Sequence, residues 1–184
     1  MAGRLALIGG GARSGKSAFA LARATAAGPR RVYVATATAG DDEMRARIAR
    51  HRAERGDAFV TVEAPRDVAA ALRAAPPCDA VVVDCLTLWL ANCLAAGAAD
   101  ADVLAEADDL IAAARGIPAL VVVVTNEVGM GVVPPTPLGR RFRDLAGWVH
   151  QRVAAAADEL YLAALGSVLR LRPAPIDLVD RARP

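Results

Sequence analysis

Eight consecutive residues near the start of the chain, GGARSGKS, limit the folds open to it. They span Gly10–Ser17 and satisfy the pattern Gly-x-x-x-x-Gly-Lys-Ser/Thr in full. The apolar run RLALIGG precedes them and the alanine-rich run KSAFALARATAA follows, which predicts a strand, a tight loop and a helix. Such a loop presents backbone N–H groups to phosphate oxygens at a helix N-terminus. The motif therefore predicts a nucleoside triphosphate site, the alternative being a chance match in a glycine-rich turn.

The residue types in this loop suit different parts of a bound nucleotide. Lys16, the only lysine in the chain, is predicted to reach the outer phosphates, and the Ser17 hydroxyl to ligate Mg²⁺. A second magnesium-associated acid is expected at the end of a buried strand, and Asp84 after VVV is the candidate, unless it simply caps a helix. The predicted nucleotide-binding residues of the loop are Gly10, Gly11, Ala12, Arg13, Ser14, Gly15, Lys16 and Ser17.

Strand-like and helix-like segments alternate along the rest of the chain. Further strands are predicted for RVYVATAT, FVTVEAP, DAVVVDCLT and PALVVVVTNEV, with helices between them that include the charged segment DDEMRARIARHRAER. Apolar strands without polar alternation are typical of a sheet covered on both faces. The sequence thus predicts an α/β fold of the P-loop NTPase type, with a mostly parallel sheet. It predicts one domain over residues 1–184, with a loosely ordered tail after about residue 172.

The composition bears on several classes of protein. A chain of 184 residues that is 55% hydrophobic and 23% charged is typical of a globular protein, and its net charge of +2 gives no reason to expect nucleic acid. Neither a signal peptide nor a membrane span is predicted. Cys78, Cys85 and Cys93 have no metal-ligand spacing, and we expect them to be buried free thiols in the cytoplasm.

The two histidines of the chain lie in different settings. Met44, Ile48 and His51 share one face of the charged helix, with Arg47 beside it. His51 could be a nucleophile that attacks a phosphate, or a partly buried histidine on a solvated arginine-rich face. His150, in GWVHQRV, is predicted to be a core or interface residue.

Other candidate residues end predicted strands or follow them. Glu63 could bind a ribose or a base, or it could be a surface acid. Asn126 and Glu127 follow a buried strand, where parallel sheets bind ligands, so they are predicted to contact substrate or to order the loop. Three arginines of the next helix could clamp phosphate, contact another subunit or form a solvated face: Arg140, Arg141 and Arg143.

Several blocks together resemble the bifunctional adenosylcobinamide kinase / adenosylcobinamide-phosphate guanylyltransferase family of cobalamin biosynthesis. They are GGARSGKS, VATATAGDDEMRARIARHRAER, VVVDCLTLWLANCL and VVVVTNEVGMGVVPPTPLGRRFRDLAGWVHQRVAAAADELYL, from about Leu5 to about Leu171. The resemblance implies that ATP or GTP phosphorylates adenosylcobinamide with Mg²⁺, and that GTP then donates GMP through a guanylyl-histidine at His51. It also implies a reversed strand near the C-terminus and a homotrimer.

The resemblance extends the set of nucleotide contacts beyond the loop. The residues that it implies are Ala35, Thr36, Ala37, Arg52, Ala53, Glu54, Arg55, Glu63 and Asp84. Pro135 stands where the family usually has an acidic residue, and Trp148 and His150 stand where a smaller or polar pair is common. Two other functions remain open: a plain small-molecule P-loop kinase without guanylyl transfer, and a slowly hydrolysing nucleotide-binding switch.

Overall fold

The range that the structure describes contains eight strands, all in one sheet, and six α-helices. The computed structural model describes residues 3–181, apart from the side chains of Arg47, Glu54 and residues 177–181, so the expectations for Arg47 and Glu54 lie outside the described residues. The strands are β1 Arg4–Gly10, β2 Arg31–Ala35, β3 Val60–Glu63, β4 Ala80–Asp84, β5 Leu120–Val124, β6 Glu159–Ala164, β7 Ser167–Arg172 and β8 Asp177–Arg181. The helices are α1 Lys16–Ala27, α2 Asp42–Arg55, α3 Val68–Arg73, α4 Leu86–Ala95, α5 Asp100–Gly116 and α6 Pro137–Ala156.

The strand order in the sheet is β3-β2-β4-β5-β1-β6-β7-β8. All pairs from β3 to β6 are parallel, whereas β7 is antiparallel to both of its neighbours. The mostly parallel α/β fold and the reversed strand near the C-terminus are therefore confirmed. After Arg172, where the sequence predicts a loosely ordered tail, the structure has the edge strand β8.

Two apolar cores lie on opposite faces of the sheet. In β1, Leu5 and Leu7 point into the core covered by α3 to α6, and Ala6 and Ile8 point into the core beneath α1. The residues of β5 are all buried, as expected for a strand covered on both faces. None of the helices in the described range is long and apolar enough to cross a membrane.

Helix α2 differs from the other long helices in how it is attached. Its N-terminus is capped by Asp41, whose carboxylate accepts a hydrogen bond from the Met44 N–H at 2.7 Å. Among the described side chains of α2, Arg55 in the last turn is the only buried one, while Met44 and Ile48 are only partly buried. This helix therefore lies over the edge of the sheet and leaves a cavity beneath it.

A buried carboxylate connects α1 to the sheet. Glu159 on β6 accepts hydrogen bonds from Arg23 of α1 and from the Tyr161 hydroxyl, both at 2.6 Å, and also pairs with Arg4. Burial alone would raise the pKa of Glu159, but the Tyr161 hydrogen bond and the Arg23 charge together hold it below its usual range. Arg23 on α1 is thus connected to β6 through this carboxylate.

Candidate active site

The phosphate loop joins β1 to α1 in the conformation that its glycines permit. Gly15 has a φ of 92°, which L side chains rarely adopt, and a Cβ on Gly10 would lie 2.4 Å from the Ala163 carbonyl oxygen. Lys16 is only 6% exposed, and its Nζ donates to the Gly11 carbonyl at 2.9 Å, across the loop. The Ser14 hydroxyl is buried and has no hydrogen-bond partner within residues 3–181, so it is available to a phosphate oxygen.

Asp84 lies where the sequence predicts the magnesium-associated acid, at the carboxyl end of β4. Its Oδ2 accepts hydrogen bonds from the Ser17 hydroxyl at 3.1 Å and from the Tyr33 hydroxyl at 2.9 Å. Burial is the largest cause that raises the pKa of Tyr33 above its usual value, and the charge of Asp84 is the second. This hydroxyl therefore donates at neutral pH. A serine hydroxyl beside a carboxylate is an oxygen donor set that suits Mg²⁺, so these residues fit the expected ion.

A cavity of about 400 Å³ lies between α2 and the carboxyl ends of the central strands. His51 lies on the wall formed by α2, and Lys16 with Ser17 lies on the wall formed by the phosphate loop. The structure thus brings together the phosphate loop, α2 and the segments at the ends of β2, β3, β4 and β5, because parallel strands all end at one edge of the sheet. The predicted residues that line this cavity are Lys16, Ser17, Ala35, Ala37, His51, Arg52, Arg55, Glu63, Asp84 and Asn126.

The two described arginines in the last turn of α2 have different environments. Arg52 is exposed and forms an ion pair with Glu63 at the end of β3. Arg55 is 8% exposed, and its guanidinium carbon lies 3.8 Å from the centroid of the Tyr33 ring. Arg55 also donates to the His51 carbonyl and to the Thr61 hydroxyl, each at 3.2 Å. The cavity wall therefore carries fixed positive charge next to His51.

Some predicted residues lie outside this cavity. Thr36 is fully buried, and its hydroxyl donates to the Cys85 carbonyl and accepts from the Cys85 N–H. Its side chain therefore holds the backbone of Cys85, a residue of the cavity wall, and does not line the cavity itself. Ala53 is exposed and does not line the cavity. Glu127 accepts from the Gly129 N–H at 2.5 Å, and its own N–H donates to the Gly10 carbonyl at 3.0 Å. This second bond joins the loop after β5 to the phosphate loop.

Asn126 faces the cavity from the same loop. Its amide donates to the Thr87 hydroxyl at 2.8 Å, which fixes its orientation. Of the three arginines at α6, none lines the cavity. Arg140 donates to the Pro134 and Pro135 carbonyls, and Arg141 pairs with Asp100 at 2.7 Å.

Sequence reasoning did not select several residues that line the cavity, among them Tyr33, Thr61 and Cys85. Tyr33 lies in an apolar strand, and its pattern RVYVA predicts only a buried position. Its one signal is a hydroxyl in an otherwise apolar strand, and only the structure shows that this strand pairs with β4, which ends in Asp84. The thiol of Cys85 is buried, which raises its pKa, so it is a neutral part of the cavity wall.

His150 lies on α6, partly buried, and its Nε2 is 2.6 Å from the Thr125 hydroxyl. Burial lowers the pKa of this imidazole, and the nearby Glu127 charge opposes that shift only in part. The sequence expectation of a core position agrees with this packing. Trp148 is half exposed on the same helix, and nothing in the structure explains Pro135 and Trp148 in place of the usual family residues.

We expect His150 to make the protein less stable in mild acid. As the pH falls below about 6.5, the ordinary pKa of histidine, His150 of the unfolded chain binds a proton more readily than His150 of the folded chain. The free energy of unfolding therefore falls as the pH drops from about 6.5 toward the lower pKa of the folded chain. His150→Gln keeps a hydrogen-bonding group near Thr125 but does not titrate. At pH 7.5 the two proteins should agree within about 1 kcal/mol.

Urea unfolding of both proteins at pH 7.5 and pH 5.5 measures this effect. The wild-type protein should lose more free energy of unfolding than His150→Gln over that interval. Equal losses in the two proteins would contradict the prediction, because all other titrating groups are common to both.

Comparison with known proteins extends the likeness over nearly the whole chain. A family model described as cobinamide kinase / cobinamide phosphate guanyltransferase (CobU) matches residues 6–171. The bifunctional adenosylcobalamin biosynthesis protein CobP of Pseudomonas aeruginosa is 42% identical over 172 residues, covering 92% of this chain and 98% of that protein. The CobU protein of Salmonella typhimurium is 42% identical over 179 residues, covering 90% and 98%.

Solved structures with lower sequence identity share the fold. The RadB recombinase superposes with a TM-score of 0.54 at 16% identity, covering 97% of this chain and 87% of that one. The ATPase domain of G40P has a TM-score of 0.53 at 15% identity, covering 97% and 81%. At these identities the likeness concerns the P-loop fold alone. The match over residues 6–171, which includes both the phosphate loop and the His51 helix, shows that the chain belongs to the cobinamide kinase / cobinamide phosphate guanyltransferase family.

Proposed function

We propose that this protein phosphorylates adenosylcobinamide with ATP or GTP, and then transfers GMP from GTP to the resulting phosphate. The products of the second step are adenosylcobinamide-GDP and pyrophosphate. One observation carries the proposal: the phosphate-loop residue Lys16 and the histidine His51 line the same cavity. A plain kinase needs the first of these residues but has no use for a histidine at that position.

In the kinase step, the phosphate loop would hold the triphosphate. Its backbone N–H groups and Lys16 bind the outer phosphates, and Ser14 adds a buried hydroxyl. Ser17 and Asp84 would hold Mg²⁺, which neutralises charge on the phosphates when bound. The substrate hydroxyl oxygen then bonds to the γ-phosphorus as the bond from that phosphorus to its bridging oxygen breaks, so ADP or GDP leaves and the hydroxyl proton is released to solvent.

In the guanylyl-transfer step, His51 would act as the nucleophile. A ring nitrogen of His51 bonds to the α-phosphorus of GTP as the bond between the α- and β-phosphates breaks, and pyrophosphate leaves. A phosphate oxygen of adenosylcobinamide phosphate then attacks the same phosphorus, and the bond to His51 breaks. The neighbouring Arg52 and Arg55 offset the charge that develops on the α-phosphate.

Other residues of the cavity would contact the rest of the nucleotide and the second substrate. Glu63, Ala35 at the end of β2 and Ala37 just after it line the cavity, and they would contact the base or the ribose of the nucleotide. Asn126 lies on the loop that would contact the second substrate, and Glu127 orders that loop.

The proposal includes a cytoplasmic location and a homotrimer. The three cysteines are free and buried, as is common in a reducing compartment. A homotrimer would offer burial for large apolar side chains that are exposed on the single chain. These include Met130, Val132 and Trp148.

Product analysis of the purified protein tests this function. With Mg²⁺, ATP and adenosylcobinamide, we expect chromatography to show the phosphate ester, and adding GTP should convert that ester to adenosylcobinamide-GDP. The phosphate ester alone, even with GTP, would indicate a plain kinase. Slow nucleotide hydrolysis with no corrinoid product would favour the nucleotide-binding switch.

A further inference from the structure

Tyr33 contacts the two walls of the cavity at once. Its hydroxyl donates to Asp84 Oδ2 at 2.9 Å, and the face of its ring lies 3.8 Å from the guanidinium carbon of Arg55. Asp84 belongs to the wall that would hold Mg²⁺, and Arg55 belongs to α2, the helix that carries His51.

We propose that Tyr33 is a positioning residue that sets the Asp84 carboxylate and the His51 helix in one fixed relation. This inference rests on the proposed function, because it assigns a task to Tyr33 within that same site. Tyr33 does not contact the reacting atoms in this account. It acts through Asp84 on one side and through Arg55 on the other.

Tyr33 is rigidly held. It lies in β2, between β3 and β4, where it is in register with Thr61 on one side and Val82 on the other. Its side chain is buried, and the Phe59 ring packs edge-on against it at 6.4 Å between centroids. A ring held on a strand that is paired on both sides can orient its neighbours without moving itself.

The orientation of the Asp84 carboxylate depends on its hydrogen bonds. A carboxylate at a strand end can rotate about its side-chain bonds, and its hydrogen bonds decide which oxygen faces a metal ion. Ser17 and Tyr33 both donate to Oδ2, so they fix this rotation together. Ser17 is itself an expected metal ligand, which leaves Tyr33 as the donor that holds Asp84 when Ser17 turns toward the ion.

Tyr33 also contacts α2, through Arg55. Arg55 is the only buried side chain among the described residues of this helix. Its contacts are therefore important for holding α2 against the sheet. The Tyr33 ring gives Arg55 a cation–π contact, and the Arg55 guanidinium donates to the His51 carbonyl one turn earlier. Loss of the ring would therefore release the last turn of α2, which directly follows His51.

Two substitutions separate the two contacts. Tyr33→Phe removes the hydroxyl and keeps the ring, whereas Tyr33→Leu removes both. Tyr161→Phe is a matched control, because it also removes a tyrosine-to-carboxylate hydrogen bond, to Glu159, outside the cavity. Circular dichroism and thermal unfolding of the three variants establish that each is folded.

Metal affinity tests the hydroxyl contact without any reaction. Mn²⁺ is titrated into the protein with α,β-methylene-GTP, which cannot be cleaved between the α- and β-phosphates, and free Mn²⁺ is followed by electron paramagnetic resonance. We expect Tyr33→Phe to weaken Mn²⁺ binding about tenfold, the usual effect of losing a hydrogen bond to a metal ligand, and Tyr161→Phe to leave it unchanged. Unaltered affinity in Tyr33→Phe would overturn the assignment for Asp84.

Labelling of His51 tests the ring contact. With GTP labelled at the α-phosphate, we expect His51 to become labelled more slowly in Tyr33→Phe than in wild type. The labelling rate of Tyr33→Phe should recover as the Mg²⁺ concentration rises. Labelling of Tyr33→Leu should stay more than tenfold slow at any Mg²⁺ concentration, because α2 is misplaced. Recovery of both variants by Mg²⁺ would overturn the assignment for α2.

The wild-type protein separates failure of this inference from failure of the proposed function. If wild type binds Mn²⁺ with the nucleotide and becomes labelled, the function stands, and the variants alone decide the role of Tyr33. If wild type binds Mn²⁺ with the nucleotide but is never labelled, the guanylyl-histidine step fails, and the α2 half of this inference fails with it. The Mn²⁺ titration still decides the Asp84 half in that case.

Discussion

Replacing His51 by alanine is expected to abolish guanylyl transfer and to leave the kinase step active. The imidazole is the nucleophile of the proposed second reaction, and alanine offers no atom that could bond to phosphorus. We expect the rate of adenosylcobinamide-GDP formation to fall by about 10³-fold or more. Phosphorylation of adenosylcobinamide should continue, because the phosphate loop and Asp84 are unchanged.

The measurement uses Mg²⁺ and GTP labelled at the α-phosphate. After denaturation, label bound to wild type should be removed by acid and resist mild base, as expected for a bond between phosphorus and a histidine nitrogen. His150→Gln is the control, since His150 lies outside the cavity and should leave labelling intact. Label that persists in His51→Ala would show that another residue is the nucleophile.

Replacing Lys16 by alanine is expected to abolish both steps. Its ammonium group is the only lysine charge in the chain and lies in the phosphate loop, where it would bind the outer phosphates in either reaction. Removing such a preorganised charge typically costs about 10²- to 10³-fold in rate. The loss in each half-reaction should be of similar size, which distinguishes Lys16 from His51.

Arg30→Ala provides the control for a lost positive charge. Arg30 is exposed, pairs with Asp79 and does not line the cavity, so both steps should proceed at wild-type rates. Each half-reaction is assayed separately, with binding of α,β-methylene-GTP and thermal unfolding measured in parallel. A folded Lys16→Ala protein that retains either step would show that the phosphate loop serves only the other one.

Local sequence patterns were sufficient for the phosphate loop and for most elements of the fold. The strand before Gly10 and the helix from Lys16 follow from short-range rules: an apolar run, a glycine-rich turn and a good helix former. The same rules predict α2 and place Met44, Ile48 and His51 on one face of it, and these three residues do line the cavity. Alternation of strands and helices was enough to predict a mostly parallel sheet.

Contacts between distant segments depend on the register and order of the strands, which local patterns do not encode. The sequence contains Asp84 and Tyr33 51 positions apart, and they meet because β2 and β4 are neighbours in parallel register. The Thr36 hydroxyl, by contrast, bonds to the Cys85 carbonyl, whereas Ala35 and Ala37 line the cavity. The chain's residue types thus determine which chemistry is available, whereas the packing of the sheet determines which of those groups meet, because side-chain contacts across strands form only in the folded chain.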